Sequence, residues 1–199
     1  MKNELFQLND NNPWGGFGSV LISGFLWGHF GPHQKHIVRT GPFVPPVTFP
    51  SGHCVVTDAV RLELEASPLV GLQFVETFTK KVVASDWPSW DRSAELDYSK
   101  FPEDIDVFQP EDLILVPRHR PTLASQMPRL WFVKGTPTIL DWHEEGDGTS
   151  WVSWSGSDLD AADIFLIGDS LTMVNARAKT WFEQRYSEWV SFDELQVRA

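Results

Sequence analysis

Glycine and proline punctuate the chain between Asn11 and His53: "NNPWGGFG", "GHFGPH" and "RTGPFVPPVTFP". Proline lacks a backbone donor and clashes with the preceding helical turn, while glycine has more freedom to lose. Long helices are therefore unfavourable here, and the stretch reads as strands joined by stiff turns. "SVLISGFLW", Ser19 to Trp27, reads as a strand with a glycine kink.

The pattern changes at "HCVVTDAVRLELEASPLVGLQFVETF", His53 to Phe78. It reads as a strand over Cys54 to Val56, a cap at Thr57 or Asp58, a helix to about Ala66, a turn at Ser67-Pro68, and a strand from Leu72 to Thr77. Val60, Leu62 and Leu64 alternate with charges, as on a strand. Leucine, glutamate, alanine and arginine favour a helix, and propensity decides the assignment.

A looser version follows near the C-terminus in "DIFLIGDSLTMVNARAKTWF" and "SEWVSFDEL". Ile164 to Ile167 reads as a short strand, Gly168 as a sharp turn, and Asp169 or Ser170 as the cap of a helix. Val174, Ala178, Trp181, Phe182 and Tyr186 recur at helical spacing. Phe74 and Phe192 occupy comparable places in the two units. Between them, Asp91 to Pro128 is polar and proline-interrupted. "TILDWHEEGDGTSWVSW" reads as a hairpin turning at Asp147-Gly148. The expected fold is α+β: a mixed sheet, two β-α-β-like units, and a C-terminal hairpin plus helix. The 199 residues make one domain, or two lobes (about 1–91 and 129–199) joined by segment 92–128.

Gly168-Asp169-Ser170-Leu171 matches the nucleophile block of the GDSL serine esterases. A serine nucleophile needs a base, almost always histidine. That family carries it downstream in Asp-x-x-His, whereas the last histidine here is His143. The Gly-x-Asn-Asp oxyanion block is also missing, so the four letters read as a structural turn. His29, His33 and His36 have a zinc-like spacing, but Gly31 and Pro32 bar the helix that would present it, so no metal and no cofactor is expected. His143-Glu144 lacks the second histidine of a zinc peptidase. Cys54, the single cysteine, excludes an internal disulfide and reads as a core residue.

The formal charge is −11, from 27 acidic and 16 basic residues, which argues against a nucleic-acid partner. No stretch has the length and apolarity of a membrane span, and the N-terminus lacks an apolar signal core, so the expected location is the cytoplasm. The acid is concentrated. No Lys or Arg occurs between Lys134 and Arg177, a stretch that holds Asp141, Glu144, Glu145, Asp147, Asp158 and Asp160 together with Trp151 and Trp154. Those eight residues form the candidate binding surface, since tryptophans anchor interfaces and clustered charge steers an oppositely charged partner. A second acidic run spans Glu95 to Asp112.

"RTGPFVPP" (Arg39 to Pro46), "VVTDAVRLELE" (Val55 to Glu65), "PLVGLQFVE" (Pro68 to Glu76) and "DWPSWD" (Asp86 to Asp91) resemble bacterial immunity proteins encoded beside Rhs-like and other polymorphic, type VI-secreted toxins. The resemblance covers about residues 38–91 and brings no catalytic residue. It implies a non-enzymatic protein that binds and occludes one cognate toxin, a toxin basic where it meets phosphate. Two other readings stay open on the residues alone. One is a small hydrolase using Ser170 or an unrecognised carboxylate pair; the other is a tryptophan-rich carbohydrate-binding or adaptor module.

Overall fold

The computed structural model describes residues 4–27, 35–101, 107–138, 140–144, 150–154, 162–168 and 171–198. The first elements are β1 (Leu5–Asp10), α1 (Gly15–Ser23), β2 (Phe25–Leu26), β3 (Lys35–Gly41), β4 (Val47–Thr48), β5 (Val55–Thr57), α2 (Asp58–Glu65) and β6 (Gln73–Ala84). Two short helical turns follow, α3 (Asp112–Leu115) and α4 (Pro121–Ala124). The chain then forms β7 (Leu130–Lys134), β8 (Thr136–Thr138), β9 (Leu140–Glu144), β10 (Ser150–Trp154), β11 (Ile164–Ile167), β12 (Leu171–Asn175), α5 (Ala176–Tyr186) and β13 (Val190–Arg198). The fold is α+β. One sheet has the order β2-β3-β6-β7-β5-β4, the other β8-β11-β12-β1-β13-β10-β9.

Each sheet is organised around a split β-α-β unit. β5 and β6 both run antiparallel to β7, which lies between them, so they are parallel to each other across α2. β12 and β13 are related in the same way across α5, with β1 between them. The strand completing each unit comes from far away in sequence. β7 lies at 130–134 and β1 at 5–10, so stretches 1–91 and 129–199 exchange strands. The sequence division at 92–128 does not coincide with the division between sheets. The described residues of that segment also pack on the fold: Leu113 and Ile114 are buried, and the Arg120 N–H donates to Val82 O at 2.8 Å.

One hydrophobic cluster takes side chains from both sheets and both unit helices: Phe6 and Leu8 of β1, Val56, Val133 and Ile164, Val60 and Leu64 of α2, and Ala178, Trp181, Phe182 and Tyr186 of α5. The α5 positions recur every three or four residues, which puts them on one helical face. Tyr186 Oη reaches across to Glu63 Oε2 at 2.8 Å and ties α5 to α2. A second cluster joins Leu21 and Ile22 of α1 to Trp87, Trp90 and Leu113.

Five sequence expectations need correction. Ser19 to Ser23 belongs to a helix, not a kinked strand, and only Phe25 and Leu26 of that stretch pair in a sheet. Gly24, at φ 73°, ends the helix. The strand expected from Leu72 to Thr77 runs from Gln73 to Ala84, through an irregularity beside Lys80 where Ile37 pairs with Thr79 but Val38 pairs with Lys81. The expected cap at Asp169 or Ser170 is not the helix start. Val174, expected on the helix, lies in β12, which returns antiparallel along β11. Lastly, the second unit begins at β12 rather than at Ile164.

The true cap of α5 is Asn175, whose side chain accepts from the Ala178 N–H at 3.0 Å. Its Nδ2 also donates to Asp163 Oδ1 at 2.8 Å. Asn175→Ala should therefore cost about 1–2 kcal/mol in urea denaturation. Ser170→Ala should change stability by no more than about 0.5 kcal/mol. Equal losses from both substitutions would contradict this placement of the helix start.

Candidate functional site

The acidic, tryptophan-bearing stretch forms an antiparallel hairpin at one end of the seven-stranded sheet. β9 is the outermost strand; β10 lies inside it and runs parallel to β13. Asparagine, aspartate and glycine turns favour such a reversal, but the register differs from a two-residue Asp147-Gly148 turn. That turn would place His143 opposite Val152. His143 instead pairs with Trp151, and Glu144 pairs with Ser150, leaving five connecting residues, 145–149. A shift of one residue exchanges the two faces of a strand. The position of the hairpin was thus legible, while its faces were not.

The observed register brings an imidazole and an indole together. The His143 and Trp151 rings stack with centroids 3.9 Å apart and planes 13° from parallel. His143 Nε2 also lies 2.8 Å from Ser153 Oγ. Both residues are half-buried. Aromatic pairs directly opposite on an antiparallel sheet are a main source of its stability, so this group stiffens the hairpin.

A serine within hydrogen-bond reach of a histidine is also the start of a nucleophilic pair. Among the described residues, no oxyanion-binding donor completes it. β10 is paired by β9 on one side and β13 on the other, so its N–H groups go to ladders rather than to a developing oxyanion.

Of the eight candidate residues, Asp141, Glu144 and Trp154 occupy strand positions, opposite Ser153, Ser150 and Leu140. Trp151 is the one whose side chain contacts are described. Glu145, Asp147, Asp158 and Asp160 lie outside the described residues. His143 shares one face of the hairpin with Trp151 and Ser153.

Cys54 is fully buried, and burial pushes its thiol up to about 12, so it is no thiolate at neutral pH. His36 packs against Phe78, with ring centroids 5.9 Å apart; His29 and His33 lie outside the described residues, as does Ser170. Among the described residues, no three His, Cys, Asp or Glu side chains are grouped to hold a metal ion. No helix among them is long and apolar enough to cross a membrane.

Among the described residues, the buried carboxylate is Asp163, just before β11 and 1% exposed. Burial alone would raise its carboxyl. Hydrogen bonds from Arg177, the Val70 N–H and Asn175 outweigh burial and hold it below the usual carboxylate range. All its partners are structural, and sequence reading missed it because they come from positions 70, 175 and 177. No protein-family description matches this chain, and no curated protein sequence matches it.

Proposed function

We propose that this chain is a binding protein whose acidic edge hairpin, β9–β10, docks against a basic protein partner, and that the partner is the cognate toxin of a polymorphic toxin system. The supporting observation is the position of the acid. The stretch between Lys134 and Arg177, which contains no Lys or Arg, supplies the outermost strand of the larger sheet. An outer strand leaves one row of backbone groups without a strand partner. Carboxylates on such an edge, with no Lys or Arg near them in sequence, attract a cationic surface and discourage pairing with a second acidic copy. The stacked His143–Trp151 pair gives this edge a stiff aromatic element, and rigid anchors lose little entropy on binding. The resemblance to immunity proteins over residues 38–91 supplies the biological class; the hairpin supplies the surface.

The test uses the protein encoded immediately upstream of this gene, expected to carry the toxin domain. The wild-type chain should form a one-to-one complex with it and protect a cell expressing it. Glu144→Lys with Glu145→Lys and Asp147→Lys should leave the fold intact. The association rate should fall at least about tenfold at low salt, with less difference at high salt, and protection should be lost. A folded triple variant that binds at the wild-type rate and still protects would move the interface away from the hairpin.

A further inference from the structure

Three cations that form no ion pair among the described residues line a cavity of about 520 Å³ on the other sheet's side of the molecule, beside α1 and α3. We infer that this cavity binds a small phosphate ester, of the class of a nucleoside diphosphate. The inference is independent of the toxin reading, since no residue of the hairpin lines the cavity.

Three cations line it: Lys100, Arg118 and Arg120. None of them forms an ion pair with a described carboxylate, whereas Arg61, Arg92, Arg129, Arg177 and Lys179 each do. Among the described residues, these three cations thus share one cavity and no carboxylate pairs with them. The one carboxylate in the lining, Asp86, already accepts from Trp90 Nε1 at 3.1 Å. Lys100 sits 5.4 Å from the Trp90 ring centre, and its field also reaches Asp91 and Asp97.

The two arginines are held in place by the backbone. Pro117 and Pro121 bracket them. The Arg120 N–H donates to Val82 O at 2.8 Å, and the Val82 N–H donates to His119 Nδ1 at 3.1 Å. The intervening His119 is thus turned to β6. Residues two apart on extended chain point the same way, which directs Arg118 and Arg120 together into the cavity they line. Guanidinium forks match phosphate oxygens bidentately.

Phe101 and Leu113 give the lining an apolar part, so the ligand pairs a charged end with a flat or apolar one. The volume falls within the range of about 300–1,000 Å³ typical of small-ligand sites. The net charge of −11 repels an extended polyanion. A single small anion in a local cationic cavity avoids that repulsion.

The probes are ADP, pyrophosphate and adenosine, titrated calorimetrically into the full chain at low salt. ADP is expected to bind with one site, more tightly than either fragment, and less tightly as salt rises. Arg118→Ala and Arg120→Ala, both at exposed positions, should each weaken ADP by about tenfold, and the double variant should abolish measurable binding. Lys134→Ala, a cation outside the cavity, should leave ADP affinity unchanged. Circular dichroism should show that all variants are folded. Absence of ADP binding at millimolar concentration would overturn the inference. So would unaltered binding by the folded double variant, or an equal loss from Lys134→Ala. Pyrophosphate binding as tightly as ADP would refute the apolar half of the site.

Discussion

Asp163→Ala is expected to destabilise the protein by about 3 kcal/mol near neutral pH, among the largest losses available from one polar side chain. The carboxylate is buried and closes a network around the start of β11. Its Oδ2 accepts from the Val70 N–H at 2.7 Å. Its Oδ1 accepts from Asn175 Nδ2 at 2.8 Å and from Arg177 Nε at 2.7 Å, and a second Arg177 donor reaches Oδ2. The backbone closes the same ring: the Asp163 N–H donates to Val70 O, and the Asn175 N–H donates to Asp163 O, each at 3.0 Å. The residue therefore ties the loop after α2, in the first β-α-β unit, to the strand and helix of the second.

Arg177 is more than half exposed, so its own share is screened by water. The larger loss comes from the Val70 N–H, which loses its acceptor, and from the half-buried Asn175 amide, which keeps only the longer bond to Ala162 O at 3.4 Å. The pH dependence follows from the lowered carboxyl. A carboxylate held below its unfolded value adds stability above the unfolded value, and that stability is lost as pH falls through the folded one. The gap between wild type and Asp163→Asn in urea titrations should be large near pH 7 and should shrink steadily below about pH 4. A gap that stays constant into acid would show that ionisation of Asp163 contributes nothing.

The legible parts of the sequence were those where neighbours in the chain decide the structure. The first unit could be read because Thr57-Asp58 starts a run of helix formers and Ser67-Pro68 stops it; the helix occupies Asp58 to Glu65. The apolar stripe of α5 was likewise visible in Ala178, Trp181, Phe182 and Tyr186. The misread parts were settled by distant partners. Gly168-Asp169-Ser170 has the composition of both a helix cap and a tight turn. What decides between them is that Leu171 to Val174 can pair with Ile164 to Ile167 on one side, and its Met173–Asn175 end with β1 on the other. β1 itself lies more than 160 residues away, and no local pattern announces it. The hairpin register was hidden for a similar reason: β10 is also fixed by β13, through Trp151 opposite Gln196, so the Asp147-Gly148 pair does not dictate the alignment alone.

The helix α1 is the clearest misreading, and its cause yields the second large effect: Gly18→Ala should destabilise the protein by about 2–4 kcal/mol. "NNPWGGFGSV" looks hostile to a helix because three of its residues are glycine. One of those glycines is what admits the helix. Trp14 adopts φ 69°, a left-handed conformation rare for a bulky residue, and this turns Pro13 back over the first helical turn. A Cβ on Gly18 would lie 1.6 Å from Pro13 O and 2.8 Å from Pro13 C, both backbone atoms. Alanine there must displace the Pro13-Trp14 turn. That turn positions the Trp14 indole, which packs 5.8 Å from Trp90 and donates to Ala94 O at 2.9 Å. The loss would thus spread into the Trp87–Trp90 cluster that α1 buries. Gly16→Ala is the control on the same helix. Its Cβ would meet only Pro110 Cγ, at an ordinary 3.5 Å. Alanine's lower unfolded entropy should make that variant neutral or about 0.5–1 kcal/mol more stable. Urea denaturation of the two variants separates the explanations. If the penalty came from general crowding of α1, both alanines would be costly; if glycine served only as a flexible breaker, both would stabilise. Opposite signs are expected, because at one position the helix has open room and at the other it has the carbonyl of its own entering turn.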